Sequence, residues 1–420
     1  MSSQATPNIF EAVLHRVERI MLGPMRGDLR YNVWVETIAS ILFGIFWATT
    51  VGFFPVILRN LGATEDQLAL YVVFMSLGLI LTPLSVAIFQ RYRIVKIASY
   101  IWMFGRATML LVPFVGNNVT LFMVIIGIFW VCELVPSPGY VRLLERLYPD
   151  NLRGRIMSFV RIGMTLAILV TTPLAGWLLD IFDHTVVLPI IAIFGIISTL
   201  VFMRLKVDDA PIHVSGTQTK PTVREIVSEI SKNRSFMLFL ILNTLFGVGT
   251  LIGAPLYAVV QVNRLGLSYS EVGYLGLLQS ITWLLGYFFW GNLVDKKGPI
   301  FVLVISMFCG ALLPLGFMLA DSFWWLVPAF IAQGLLLGGF DLGFTNTAMN
   351  LANRSRLEAY FASIHLVGGI RGIIVPLTTP VLISMQVSES TIFGLGVGFI
   401  LVSMLLAIGI KIKPVTLETA

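Results

Sequence analysis

The polar residues of this chain fall in short clusters between long, uninterrupted apolar runs. "WVETIASILFGIFWATTVGFFPVIL" carries one charge near its start, and "IFGLGVGFILVSMLLAIGI" carries none. A helix needs about 20 such residues to cross the hydrocarbon core, and only a helix or a closed barrel satisfies its own backbone there. Because the runs are continuous and not alternating, they predict helices. Twelve spans result, at 34–58, 67–89, 95–115, 120–141, 156–179, 185–203, 236–260, 272–290, 300–320, 323–346, 359–385 and 392–410. The one long polar stretch inside the chain follows the sixth span and predicts a linker with a short surface helix at "TVREIVSEISK". The pattern is that of an all-α polytopic membrane protein.

Ahead of the first span, "PNIFEAVLHRVERIMLGPMRG" is amphipathic, with Ile9, Val13, Val17 and Ile20 on one face and Glu11, Arg16 and Arg19 off it. It reads equally as a helix lying on the membrane surface or as a soluble tail helix, and no cleavable signal is expected. The layout divides the chain into an N-terminal segment (1–33), a six-helix bundle (34–203), a linker (204–235), a second six-helix bundle (236–410) and a tail (411–420).

Composition agrees with the pattern. Hydrophobic residues make up 57% and charged residues 12%, about half the charged share of a water-soluble domain. Of 28 Lys and Arg, 23 fall on the side of the termini and the linker, whereas Arg59 and Arg264 alone fall on the other. That asymmetry predicts cytoplasmic termini. The net charge of +6 then faces anionic lipid headgroups, and no nucleic-acid partner is expected. Cys132 and Cys309 lie inside spans of different halves and read as small core residues, with neither a disulfide nor a metal site.

The chain also repeats at a shift of about 204 residues. "LRNLGATEDQ" before the second span matches "QVNRLGLSYSE" before the eighth, laying Leu61-Gly62 on Leu265-Gly266. Thr64 with Gln67, and Ser268 with Glu271, each form a predicted capping box. Arg91 to Arg93 falls on Asp295 to Lys297, and "NLRGRIMSF" answers "NRSRLEAYF". Six spans separate each pair, so the halves share one orientation, as in parallel repeats. Twelve helices as six plus six, a central linker and "GNLVDKKG" together resemble the major facilitator superfamily. Its signature for that loop, Gly-x-x-x-Asp-Arg/Lys-x-Gly, is met by Gly291, Asp295, Lys296 and Gly298. The first-half copy, "AIFQRYRI", keeps Arg91 and Arg93 but lacks the glycines and the aspartate.

The resemblance implies two six-helix bundles with pseudo-two-fold symmetry and a polar latch at the cytoplasmic rim. Glycines there would allow a tight turn, and Asp295 would approach the positive N-terminal end of the fifth span, near Gly154 to Ser158. In the first half, Arg91 or Arg93 would pair with Glu358 in its place. Contacts of this kind are worth about 0.3–1 kcal/mol when exposed and up to about 2 when partly buried. The competing reading of Lys296 and Lys297 is the positive-inside rule alone.

A charge within a span costs at least about 2.5–3.5 kcal/mol and is a functional candidate by default. In the family the first, fourth, seventh and tenth spans line the cavity, so the resemblance makes Glu133, in "FWVCELVPSPGY", a candidate proton-coupling residue. The alternative is a static ion pair with Arg161 on the neighbouring span. Arg371, in "LVGGIRGIIVP", lies roughly 18 Å into its span at 1.5 Å per residue, flanked by Gly368 and Gly372. It suits a carboxylate or phosphate, or a counter-ion role toward Glu133. Arg106 sits on the third span, peripheral in the family, and suits a structural pair. Asp341 and His365 stand level and suit either a proton relay or a structural pair. Asn243, Gln279, Trp283 and Gln333 are candidate lining residues. Glycines four apart, such as Gly249/Gly253 and Gly334/Gly338, predict close helix approach. "VTTPLAG", ending Pro173 to Gly176, partly resembles the proline-glycine signature of the family's exporters.

These features predict a secondary transporter of a small organic solute, driven by protons, leaning to efflux and working as a monomer in a bacterial inner membrane. Uptake of an organic anion is the alternative, and a non-transporting relative that handles a lipid or pigment or assists assembly is a third reading. No Gly-x-x-x-x-Gly-Lys-Ser/Thr stretch supports a nucleotide-driven pump, and the scattered histidines at 15, 184, 213 and 365 do not suggest a metal hydrolase. An enzyme with a cofactor is not expected.

Overall fold

The computed structural model describes residues 25, 27–91, 93–207, 230–353 and 356–410. The amphipathic N-terminal helix, the surface helix of the linker and the tail lie outside them. Every regular element among the described residues is helical, and the helices form twelve segments. α1 runs Gly27–Thr50 and resumes at Phe54–Asn60; α2 is Glu65–Arg91; α3 runs Ile94–Ala107 and continues through Thr108–Leu111 into Val112–Val115. α4 runs Val119–Leu134 and resumes at Ser137–Leu147; α5 is Asp150–Ile181 and α6 is His184–Phe202. α7 runs Arg234–Ile252 and resumes at Leu256–Val259, closing with a π turn at Val260–Arg264. α8 is Tyr269–Lys297, α9 Pro299–Leu319, α10 Phe323–Leu351, α11 Leu357–Ser384 and α12 Glu389–Ile408. Among the described residues, ten helical stretches are long and apolar enough to cross a membrane, with Val119–Leu134 a shorter apolar one.

Local chemistry sets where these helices start and break. Asn118, Asn233 and Ser388 accept from backbone N–H groups at the starts of α4, α7 and α12, each satisfying a donor the helix cannot. Both capping boxes form. Thr64 and Gln67 exchange bonds of 3.0 and 3.4 Å, and Ser268 and Glu271 bonds of 2.8 and 3.2 Å. α1 breaks before Pro55 and α7 before Pro255, at nearly the same register of the repeat, because a proline cannot donate to the preceding turn. α4 is interrupted at Val135 and Pro136 and restarts at Ser137. α8 overruns its predicted end: "GNLVDKK" is helical, and the turn comes only at Gly298, whose φ of +85° suits glycine. Gly291 therefore serves no turn.

Packing divides unequally between the two ends of the bundle. At the end carrying Arg59, one apolar cluster joins the halves, combining Phe46, Phe54 and Phe129 with Leu256, Val272 and Phe393. At the end carrying Lys296 there are two separate clusters, one drawn from residues 25–207 and the other from 230–410. Across the seam, a Cβ on Gly176 of α5 would lie 2.4 Å from the Tyr269 carbonyl oxygen. One on Gly273 of α8 would lie 2.9 Å from the Thr172 carbonyl, so glycine alone admits this approach. α2 and α11 meet likewise at Ser76 and Gly372. Toward Lys296 the seam opens: a Cβ on Gly154 or Gly291 would meet nothing within 4 Å. The fold is thus two bundles joined at one end and parted at the other.

Candidate functional site

A cavity of about 480 Å³ lies where the halves converge, lined from both sides by Trp47, Tyr71 and Ile168 and by Leu251, Trp283 and Phe330. Its size is that of a small-molecule site. Of the predicted lining residues, Gln279 and Trp283 are on its wall, and Gln261 of the π turn joins them. Asn243 is buried, and neither it nor Gln333 lines this cavity. The Trp283 indole N–H is buried beside the Tyr287 hydroxyl, the two rings 6.2 Å apart.

Arg371 projects from α11 onto α7, where its guanidinium lies against Gly247. A Cβ at position 247 would stand 1.8 Å from Arg371 Cζ, so the absence of a side chain makes the seat. Arg371 Nη1 donates to the Asn243 carbonyl, and Nε is buried without an acceptor. No carboxylate pairs with it among the described residues. It does not reach Glu133 as counter-ion, because Glu133 is already engaged.

Glu133 faces its own bundle. Arg106 holds it bidentately, Nε to Oε1 at 2.6 Å and Nη2 to Oε2 at 3.2 Å, with both residues buried. Arg106 also donates to the Gly195 carbonyl and Ser198 Oγ of α6, each at 3.2 Å, and its guanidinium lies 4.4 Å from the centre of the Phe43 ring on α1. One arginine from α3 thereby ties α1, α4 and α6 together. The predicted pairing of Glu133 with Arg161 is not made, since Arg106 approaches from the nearer, buried side. Arg161 is exposed and lies within electrostatic range of the Tyr140 and Tyr287 hydroxyls, one from each half.

Sequence reading passed over Glu36, the one charge in the first apolar run. It is 1% exposed, and both its oxygens accept from tyrosines, Tyr140 and Tyr148, set on the restarted part of α4. The break at Pro136 turns both rings toward α1. A lone glutamate inside the first apolar run was the available signal; its tyrosine partners, more than a hundred positions away, carried none.

The remaining candidates are scattered. Asp341 accepts from the Tyr287 hydroxyl at 3.0 Å, and no bond joins it to His365 among the described residues. Asp295 and Lys296 are exposed, and no bond joins Asp295 to the start of α5 among the described residues. Arg93 is exposed, while the side chains of Arg91 and Glu358 fall outside the described residues. A clasp of the predicted type does form, at the opposite end. Asp180, closing α5, accepts from the backbone N–H groups of Tyr269 and Ser270 at 2.8 and 2.9 Å, a carboxylate on the N-terminus of α8. Beside it sits the Pro173–Gly176 stretch, packed on Tyr269 and Gly273. No cluster of potential metal ligands occurs among the described residues.

Comparison with solved structures supports the same architecture. A mutant of the nucleoside transporter NupG superimposes with a TM-score of 0.70 at 14% identity, covering 91% of this chain and 99% of that one. A bacterial homologue of the human lysosomal transporter Spinster, inward-facing and occupied, gives 0.62 at 14% identity, covering 92% and 97%. Its unoccupied form gives 0.56 at 15% identity, covering 92% and 95%. No curated protein matches the chain in sequence. The family profile described as Major Facilitator Superfamily matches residues 37–263 and 254–418, and the chain is a member of that superfamily.

Proposed function

We propose that this protein is a secondary transporter that carries a small organic solute by alternating access, with protons as the driving ion. The observation that carries this reading is the cavity at the apex of two bundles that share a core at one end and not at the other. Such a body can exchange which end is joined while the cavity stays between them. With the Lys296 end taken as cytoplasmic, from the distribution of basic residues, this conformer opens inward. The seam at Gly176 and Gly273 involves the exporter-like stretch and supports the lean to efflux. The unpaired Arg371 favours a second reading, uptake of an organic anion.

Proton coupling is assigned to Glu36 in preference to Glu133, with Asp341 as a second candidate. Arginine only donates, and Arg106 already occupies both oxygens of Glu133. A tyrosine hydroxyl both donates and accepts, so Tyr140 and Tyr148 can partner Glu36 in either protonation state. Flux in proteoliposomes under an imposed proton gradient tests both parts. Gradient-dependent solute movement that becomes insensitive to pH in Glu36→Gln is expected. No movement of any solute refutes transport, and unaltered pH dependence in Glu36→Gln refutes the assignment.

A further inference from the structure

We infer that the transported solute is an amphipathic organic anion, its apolar body in the apex cavity and its acidic group on Arg371. The inference rests on the transporter reading above and names the class of its substrate. The first argument is the balance of hydrogen-bonding capacity. Of the carboxylates deep in the first half, Glu133 is held by Arg106 and Glu36 by two tyrosines. In the second half Asp341 takes a bond from Tyr287. Among the described residues Arg371 meets only a main-chain carbonyl, and its Nε has no acceptor. The open position is a donor, so the missing partner is an acceptor, and on a guanidinium an anionic one is favoured.

The second argument is position. Gly247, on which the guanidinium rests, is one turn from Leu251, and Leu251 lines the cavity. One turn is roughly 5–6 Å, the reach of a carboxylate joined to a ring system. The wall above is aromatic and aliphatic, with Trp47, Tyr71, Ile168 and Phe330, and burying an apolar body there supplies affinity that a small inorganic anion would lack.

The test compares three probes of one shape, 2-naphthoate, 2-naphthamide and 2-naphthylmethylammonium, by isothermal titration with the full chain purified in detergent. Naphthoate should bind at least tenfold more tightly than the amide, with the ammonium weakest. Arg371→Gln should level naphthoate with the amide, and Arg371→Lys should keep part of the preference. Gly247→Ala retains the charge but displaces it from its seat, and should also lose the preference; it serves if Arg371→Gln does not fold. Equal binding of naphthoate and amide, binding of none of the three, or a preference that survives Arg371→Gln would overturn the inference. Displacement of naphthoate by dioctanoylphosphatidate and not by dioctanoylglycerol would mark a lipid as the source of the anion, and lack of displacement a soluble acid; both accord with charge selection at Arg371. Flux separates this from the parent reading. Naphthoate that binds through Arg371 yet does not cross a proteoliposome membrane sinks the transporter and spares the site. Carriage of the amide or ammonium alone does the reverse.

Discussion

Arg59 Nε donates to Asn263 Oδ1 at 3.1 Å, and the two residues stand 204 positions apart, the shift of the internal repeat. The bond therefore joins a position to its own repeat mate, and a contact between mates lies on the axis relating the halves. Arg59 is fixed for this role by the Ala63 carbonyl at 2.6 Å and Glu65 at 3.2 Å. With the Asp180 clasp, it forms the polar part of the closed seam. Arg59→Ala and Asp180→Asn should each release roughly 0.3–2 kcal/mol from this end. Gln261→Cys, in a background lacking Cys132 and Cys309, should then react severalfold faster with an impermeant maleimide applied from the Arg59 side. An unchanged rate would show that apolar packing alone holds the seam.

Steric demand gives a sharper perturbation. Gly176→Ala places a methyl carbon against a main-chain oxygen that cannot rotate away, 2.4 Å distant before relaxation. α5 and α8 must part, so the same cysteine should become more reactive than in Asp180→Asn. Gly291→Ala, at an open helical position, should leave the rate as in the parent protein and stabilise the helix slightly.

Removing one partner of a buried ion pair strands the other, at a cost of about 3–5 kcal/mol. Glu133→Gln should therefore lower the thermal unfolding temperature of the detergent-solubilised protein markedly. Arg106→Met with Glu133→Leu should recover much of the loss, because replacing both partners by apolar groups removes the stranded charge. Equal losses in the single and double variants would argue against the pair as a structural clamp.

The latch at the Lys296 end belongs to the alternate conformer on this reading. A Gly154→Cys, Asp295→Cys protein, again lacking Cys132 and Cys309, should cross-link slowly with copper phenanthroline in the conformer described. Formation should accelerate when Gly176→Ala forces the far seam open. Rapid cross-linking without that change would mean that both ends close together, against a rocking motion.

Much of this architecture was legible along the chain because bilayer-crossing helices advertise themselves by length and continuity. The capping boxes at Thr64 and Ser268 could be read from four residues each, as the chemistry is local. Pairing could not. Glu133 lies 27 positions from Arg106 and 28 from Arg161, so sequence distance does not choose between them; helix rotation, which a uniformly apolar run does not encode, decides. Glu36 escaped notice for the same reason, since its tyrosines reach it only through the break at Pro136. The clasp motif was recognised by its glycines and aspartate, yet the carboxylate that caps a helix across the seam here is Asp180, which belongs to no repeated pattern.

The division of the apolar interior into one communal cluster and two private ones has an energetic corollary. Parting the bundles at the Lys296 end leaves each private interior whole, so that opening requires no loss of packing inside either bundle. Parting them at the other end must split a cluster containing Phe54, Tyr71, Leu256 and Phe393, and the gap would be repaid only by a new junction among charged side chains such as Asp295 and Lys296. The resting preference of the empty protein is thereby tilted toward the shape seen here, and the reverse swing has to draw its driving force from whatever occupies the cavity.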